Sequence, residues 1–355
     1  MSVSPPPLLP ASPSRRQVLR TGAAAAVVAA LAACGPLRLG QPAPFTPPPV
    51  GIDDLYREDL LAAIDEALLR CSEAEDLAAE HGDLAAHLDG VLRVQRAALL
   101  TGAEAEAAST SDAGGEQPTA SASSDAGGAS PEPGTGDAAS LVASLMTLRD
   151  LGIRAARQVS GSLARPVAAI AASAAWSSAR VASLLPAAAA QLRPLPTEDE
   201  VVPTREVPED DPPTIGAEVD FHSTIETAQR DEWFVGYVRE VLAARTAGAE
   251  RDAHRAASQE HRTRAQRLAE IAEEEGAPVP LREAVYPLPE ALADASGAES
   301  WPDTAAHDLL VTHLALVGAA PFARRPLPIL AALAEAASLG PRLAALEALP
   351  SFEEE

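Results

Sequence analysis

Leu60, Ile64 and Leu68 recur at steps of four, and Leu77, Leu84, Leu88, Leu92 and Leu99 continue on one helical face. Almost nothing in the chain alternates as a strand does, and short β-branched runs such as Val201-Val202 are followed by proline. These two facts restrict the chain to an all-α fold. Further helical segments are expected at 141–159, 164–185, 217–247, 249–275, 303–320 and 326–348, with Gly276-Ala277-Pro278 as a stop signal. The segment "VAAIAASAAWSSARVASLL" is alanine-rich, which allows close helix approach, and Trp176 is expected to fill a gap in its core.

Two stretches interrupt this pattern. Residues 103–137 hold almost no large apolar side chain, so they cannot bury enough surface to offset their ordering entropy and read as a disordered loop. Residues 193–215 mix proline with acids and read as an extended linker. The expected architecture is therefore two consecutive four-helix units, 52–192 and 216–355, each with a long connection between its second and third helices. That is the connectivity of ferritin-like bundles.

The first 50 residues read as an address and a tether. "SRRQVLRTGAAAAVVAALAACG" (14–35) has an apolar run of about half the ~20 residues a membrane-spanning helix needs. Arg15, Arg16 and Arg20 precede it without any acid, the layout of a signal peptide over residues 1–33. The adjacent arginines Arg15 and Arg16 mark the twin-arginine export route. Leu31-Ala32-Ala33-Cys34 resembles a bacterial lipoprotein box, in which the chain is cut before the cysteine and its thiol is lipidated. The expectation is a protein anchored to the outer face of the cytoplasmic membrane through Cys34, with residues 34–51 as a proline-rich tether.

Charge narrows the partners. The formal net charge is −24, and cleavage before Cys34 removes three arginines and no acid, giving −27. All the basic residues other than histidine are arginine. So acidic a chain lacks the basic face that nucleic acid requires, and leaves the lipid as its route to a membrane. Cys71 is the second of the two cysteines and ends an apolar stripe, so it reads as a buried structural thiol.

The C-terminal unit carries a family resemblance. "QEHRTRAQRLAEIAEEEGAPVPLREAVYPLP" (259–289) contains His261-Arg262, the Gly276-Ala277-Pro278 stop and Tyr286-Pro287-Leu288-Pro289. "RDEWFVGYVREVL" (230–242) and the tail "ALPSFEEE" (348–355) accompany it. Together these resemble a ferritin-like family of unknown function found among exported proteins of high-GC Gram-positive bacteria. The resemblance implies a second four-helix bundle at 216–355. Where that family often has Glu-His on its first helix, this chain has Gln229-Arg230.

Di-iron bundles need Glu-x-x-His, whose i, i+3 spacing puts both ligands on one face. None of the seven histidines has glutamate three residues before it. A weaker constellation remains: Glu250, His254 and His261 share one face of a helix, and His222 and Glu226 could meet them from the preceding helix. Imidazole and carboxylate would suit Fe or Zn. The competing reading is a solvated face of ion pairs, with His261 and Arg262 as a buried polar anchor paired to Asp231 or Glu232. Trp233, Phe234 and Tyr237 read as core. No phosphate loop, dinucleotide loop or nucleophile elbow occurs. The expected function is a non-enzymatic binding or scaffold module of the cell envelope, without cofactor. The alternative is a metal-binding or redox protein with a degenerate ferritin-like site.

Overall fold

The computed structural model describes residues 51–102, 104–106, 137–206 and 217–352. Arg15, Arg16, Cys34 and the tether lie outside them, as do most of the 103–137 loop and residues 207–216. Among the described residues the regular structure is entirely helical. The N-terminal half holds α1 (Ile52–Glu73), the short α2 (Glu75–Glu80), α3 (Gly82–Leu99), α4 (Ala138–Gln158) and α5 (Gly161–Leu184). The C-terminal half holds α6 (Ala217–Arg245), α7 (Gly248–Glu274), α8 (Ala295–Ala319) and α9 (Pro326–Leu339).

Local signals account for the helix ends. Asp137 caps α4 by accepting from the Ser140 amide at 2.8 Å, and Asp294 caps α8 through the Gly297 amide at 2.7 Å. That cap starts α8 eight residues before the expected 303, and the helix runs on through Pro302. Gly276 follows α7 at φ +69°, the left-handed region a glycine enters without a Cβ penalty. The last helix is shorter than expected because Gly340-Pro341 cannot continue it.

Helix α5 organises the interior. By length and composition it is apolar enough to cross a membrane, yet most of it is buried inside the protein. It is in contact with α3 and α4 on one side and with α8 and α9 on the other. Its alanines permit this. A Cβ added at Gly152 of α4 would lie 2.8 Å from the Ala171 Cβ, and one at Gly340 would lie 2.6 Å from the Ala179 Cβ. Trp176, fully buried on α5, meets the His87 ring edge-on at 5.6 Å.

The halves are not separate bodies joined by a linker. Residues 50–355 form one compact unit, and one apolar cluster runs from Leu60, Leu88 and Leu145 to Leu310, Leu314 and Leu333. The physical reason is α5: residues 167–178 are buried without a break, and a helix covered on every side needs helices from both halves. The expected linker is corrected likewise at its start. Arg149 donates to the carbonyls of Arg193 and Pro194 at 2.8 and 3.2 Å. The Gln158 side chain accepts from the Thr204 amide at 2.9 Å, and Val201 is buried. Residues 193–206 thus lie against the N-terminal half, which satisfies several of their backbone groups. The C-terminal tail crosses back as well: Gln95 donates to the Ala348 carbonyl at 2.8 Å, and the Arg165 Nε donates to the Ser351 hydroxyl at 3.0 Å.

Cys71 is buried, and burial pushes its thiol up to about 11. It is a structural thiol, unsuited to nucleophilic chemistry.

Candidate functional site

Helices α6–α9 enclose two apolar layers. One contains Phe221, Ile225, Leu268 and Leu316; the other contains Val238, Leu242, Trp301 and Leu309. Between them on the helices stand Glu232, His261, Arg264 and His313, and Glu335 joins from α9. All five are buried. Each of the four helices contributes, and α7 contributes twice because His261 and Arg264 are three residues apart on one face.

Glu232 is the hub and is fully buried. Its Oε2 lies 2.8 Å from His261 Nδ1 and its Oε1 lies 2.7 Å from His313 Nε2. Arg264 Nε is 3.1 Å from Oε1. A carboxylate only accepts, so both histidines are assigned a proton on the nitrogen facing Glu232; with that proton on Nδ1, His261 does not accept from Arg264 Nη2, which also lies 2.8 Å from it. Burial alone would raise the Glu232 pKa. The Arg264 charge and the hydrogen bonds from His261 and His313 outweigh it and hold the carboxyl down to about 2. Arg264 Nη2 donates to Glu335, closing the network on α9. Burial lowers the Arg264 pKa, but the Glu232 and Glu335 charges more than offset this and keep the guanidinium firmly protonated.

The neighbouring acid has a different role. Asp231 accepts from the Thr312 hydroxyl at 2.9 Å, and burial raises its carboxyl pKa. Of the two partners expected for His261, Glu232 is the one found. Arg262 turns outward and pairs with Glu240.

A cleft of about 370 Å³ opens beside this layer, between α6, α7, α8 and α9. His261, Arg264 and Glu335 form part of its wall. Glu250, His254 and Arg239 line it too, so three of the five metal candidates, Glu250, His254 and His261, do share one cleft. Their donor atoms do not converge. His254 lies 3.9 Å from Glu250, while its Nδ1 lies 3.4 Å from Arg239. Burial, then the Arg239 charge, lowers the His254 pKa. His222 and Glu226 stand apart near the start of α6, where Glu226 pairs with Arg230. Among the described residues no group of three or more His, Cys, Asp or Glu side chains could hold a metal ion. In the buried layer the ligand-type atoms face one another and a guanidinium, leaving no common point for a cation.

We therefore expect the purified protein to hold no stoichiometric transition metal. Elemental analysis checks this: about one metal per chain, lost in His254→Ala or His261→Ala, would contradict it.

Arg239, Arg264, His313 and Glu335 were not legible as a site from motifs. One signal existed for two of them. His313 in "LLVTHLALVG" and Glu335 in "ILAALAEAASLG" are lone ionisable residues in otherwise apolar helical runs. Such residues are buried only with partners.

Residues 225–354 match the family described as a domain of unknown function (DUF4439). The matched stretch contains His261-Arg262, Gly276-Ala277-Pro278 and Tyr286-Pro287-Leu288-Pro289, and with them the whole buried layer and the cleft. No curated protein matches the chain, and no solved structure does.

Proposed function

We propose that this chain is an exported, lipid-anchored binding module of the cell envelope, without enzymatic activity, whose binding site is the cleft on the C-terminal half. One observation carries the non-enzymatic part. The ionisable groups at the bundle centre are engaged with one another: Glu232 receives both histidines and Arg264, and Arg264 spans to Glu335. A general base must have a proton to take and a partner substrate within reach. Glu232, held near 2 and enclosed, has neither. The network is a fixed scaffold that positions one wall of an open cleft.

The ferritin-like reading of α6–α9 is part of the same proposal. Its support is connectivity: α6 to α7 and α8 to α9 are short joins, while residues 275–294 make the long crossover between the second and third helices.

The envelope location rests on the leader, with Arg15-Arg16 and Leu31-Ala32-Ala33-Cys34. Its test is fractionation of cells of a high-GC Gram-positive host. The native chain should sediment with membranes and be released by detergent. Cys34→Ala should leave the membrane pellet, and Arg15→Lys combined with Arg16→Lys should keep the chain in the cytoplasm with its leader uncut. Retention of Cys34→Ala on membranes after leader removal would defeat the lipid anchor.

A further inference from the structure

We infer that the cleft beside the buried layer takes a short aliphatic carboxylate, with Arg239 as the residue that holds its anionic group. The inference rests on the reading of the cleft as a binding site and adds the class of ligand. Three arginines line the cleft. Two are already neutralised: Arg264 by Glu232 and Glu335, and Arg342 by Asp303. Arg239 is different. Among the described residues no carboxylate lies within ion-pairing distance of it. Its terminal nitrogens make only two long contacts, 3.4 Å to His254 Nδ1 and 3.4 Å to the Pro302 carbonyl. Its Nε is buried with no hydrogen-bond partner, a state that Arg264 Nε and Nη1 share, so the missing carboxylate is what sets Arg239 apart.

A half-buried guanidinium with an orphaned donor is a costly arrangement, and it is relieved by a bound anion. Burial lowers the Arg239 pKa, and the charges of Glu335 and Asp303 do not offset it. The planar fork suits a carboxylate, which can accept from Nε and Nη2 together. To present that edge to a ligand the guanidinium must leave its long Pro302 contact.

The remaining walls select among anions. Glu250, Glu260 and Glu299 also stand around the cleft; their charges oppose any anion, and a dianion such as phosphate about twice as strongly as a carboxylate. Ala253, Ala257, Ala298, Pro302 and Ala334 supply apolar surface for a short hydrocarbon chain. The volume of about 370 Å³ lies at the small end of the range for ligand sites.

The test is calorimetric titration of the full chain in detergent, at constant ionic strength, with sodium butyrate, butylamine and inorganic phosphate. Butyrate should bind, and phosphate should not. Arg239→Gln should weaken butyrate by about 10-fold or more, the loss of one charge-assisted contact, and Arg239→Lys should fall between. Ala257→Trp, which fills the cleft, should abolish binding. Thermal melts of each variant report folding, and if Arg239→Gln fails to fold, the Arg239→Lys titration decides. Equal butyrate affinity in the native chain and the Arg239 variant would overturn the inference, as would phosphate binding as tightly as butyrate. Butylamine binding that Ala257→Trp blocks, with butyrate silent, would overturn the carboxylate assignment and leave the binding-module reading standing. Silence of all three probes would overturn the assignment and withdraw the support that the cleft lends that reading.

Discussion

Glu232→Ala should destabilise the protein by about 3–5 kcal/mol, the cost of removing one partner from a buried charge network. The native carboxylate is fully enclosed and receives His261, His313 and Arg264. The alanine variant leaves Arg264 with Glu335 alone and strands two imidazole N–H groups in an apolar interior. Urea denaturation at pH 7 measures the loss. The size of the effect should depend on pH in a defined sense. The folded-state pKa of Glu232 is lowered, from 4.5 to about 2. Its contribution is therefore fully present above pH 4.5 and is lost as pH falls through 2. The Glu232 part of the gap between native chain and Glu232→Ala should shrink as pH falls below 4.5. A gap that widens on acidification, or a loss under about 1 kcal/mol at pH 7, would show that the carboxylate is not the hub.

Trp176→Ala should cost a similar amount, about 3–5 kcal/mol, for a different reason: a large buried ring replaced by a methyl leaves a cavity that rigid neighbours cannot close. Trp176 is fully buried on α5, beside His87 of α3, and its backbone carbonyl lies 2.9 Å from where a Cβ on Gly340 would sit. The small residues that bring helices this close leave little slack for repacking. The two variants also test whether the core is shared. Trp176 belongs to the N-terminal half and Glu232 to the C-terminal half, yet α5, α8 and α9 bury their apolar faces in one cluster. Both substitutions should lower a single cooperative thermal transition. Two transitions, each moved by only one substitution, would mean that the halves unfold independently.

The helices were legible because their evidence is local. Leucine spacing, the Asp137 and Asp294 caps and the Gly276 stop each act within a turn or two. The pairing of His261 was half legible, since its face pointed inward and two acids stood on the preceding helix. What local pattern did not carry was the joint use of α8 and α9 by both halves. That depends on α5 being covered on every side, which the small and apolar residues of "VAAIAASAAWSSARVASLL" permit without saying which helices would cover it. The packing of residues 193–206 was hidden for a related reason. Proline and acid content suggested solvation, whereas single side chains, Arg149 and Gln158, recruit that backbone from afar. The metal candidates failed on direction: i, i+4 spacing placed Glu250 and His254 on one face, but Arg239 occupies the imidazole that would have had to turn toward a cation.

The returning tail has a consequence for the order of events in synthesis. Gln95 and His87 of α3 bind the Ala348 and Leu346 carbonyls, and Arg165 at the start of α5 binds Ser351. Helix α5 is covered only when α8 and α9 have arrived. A nascent chain that has emerged as far as Leu184 therefore has α5 covered by α3 and α4 but bare where α8 and α9 will lie. The N-terminal half must wait, unfinished, until roughly the last fifty residues leave the ribosome. Any cellular factor that shields nascent apolar segments has a long task on this stretch.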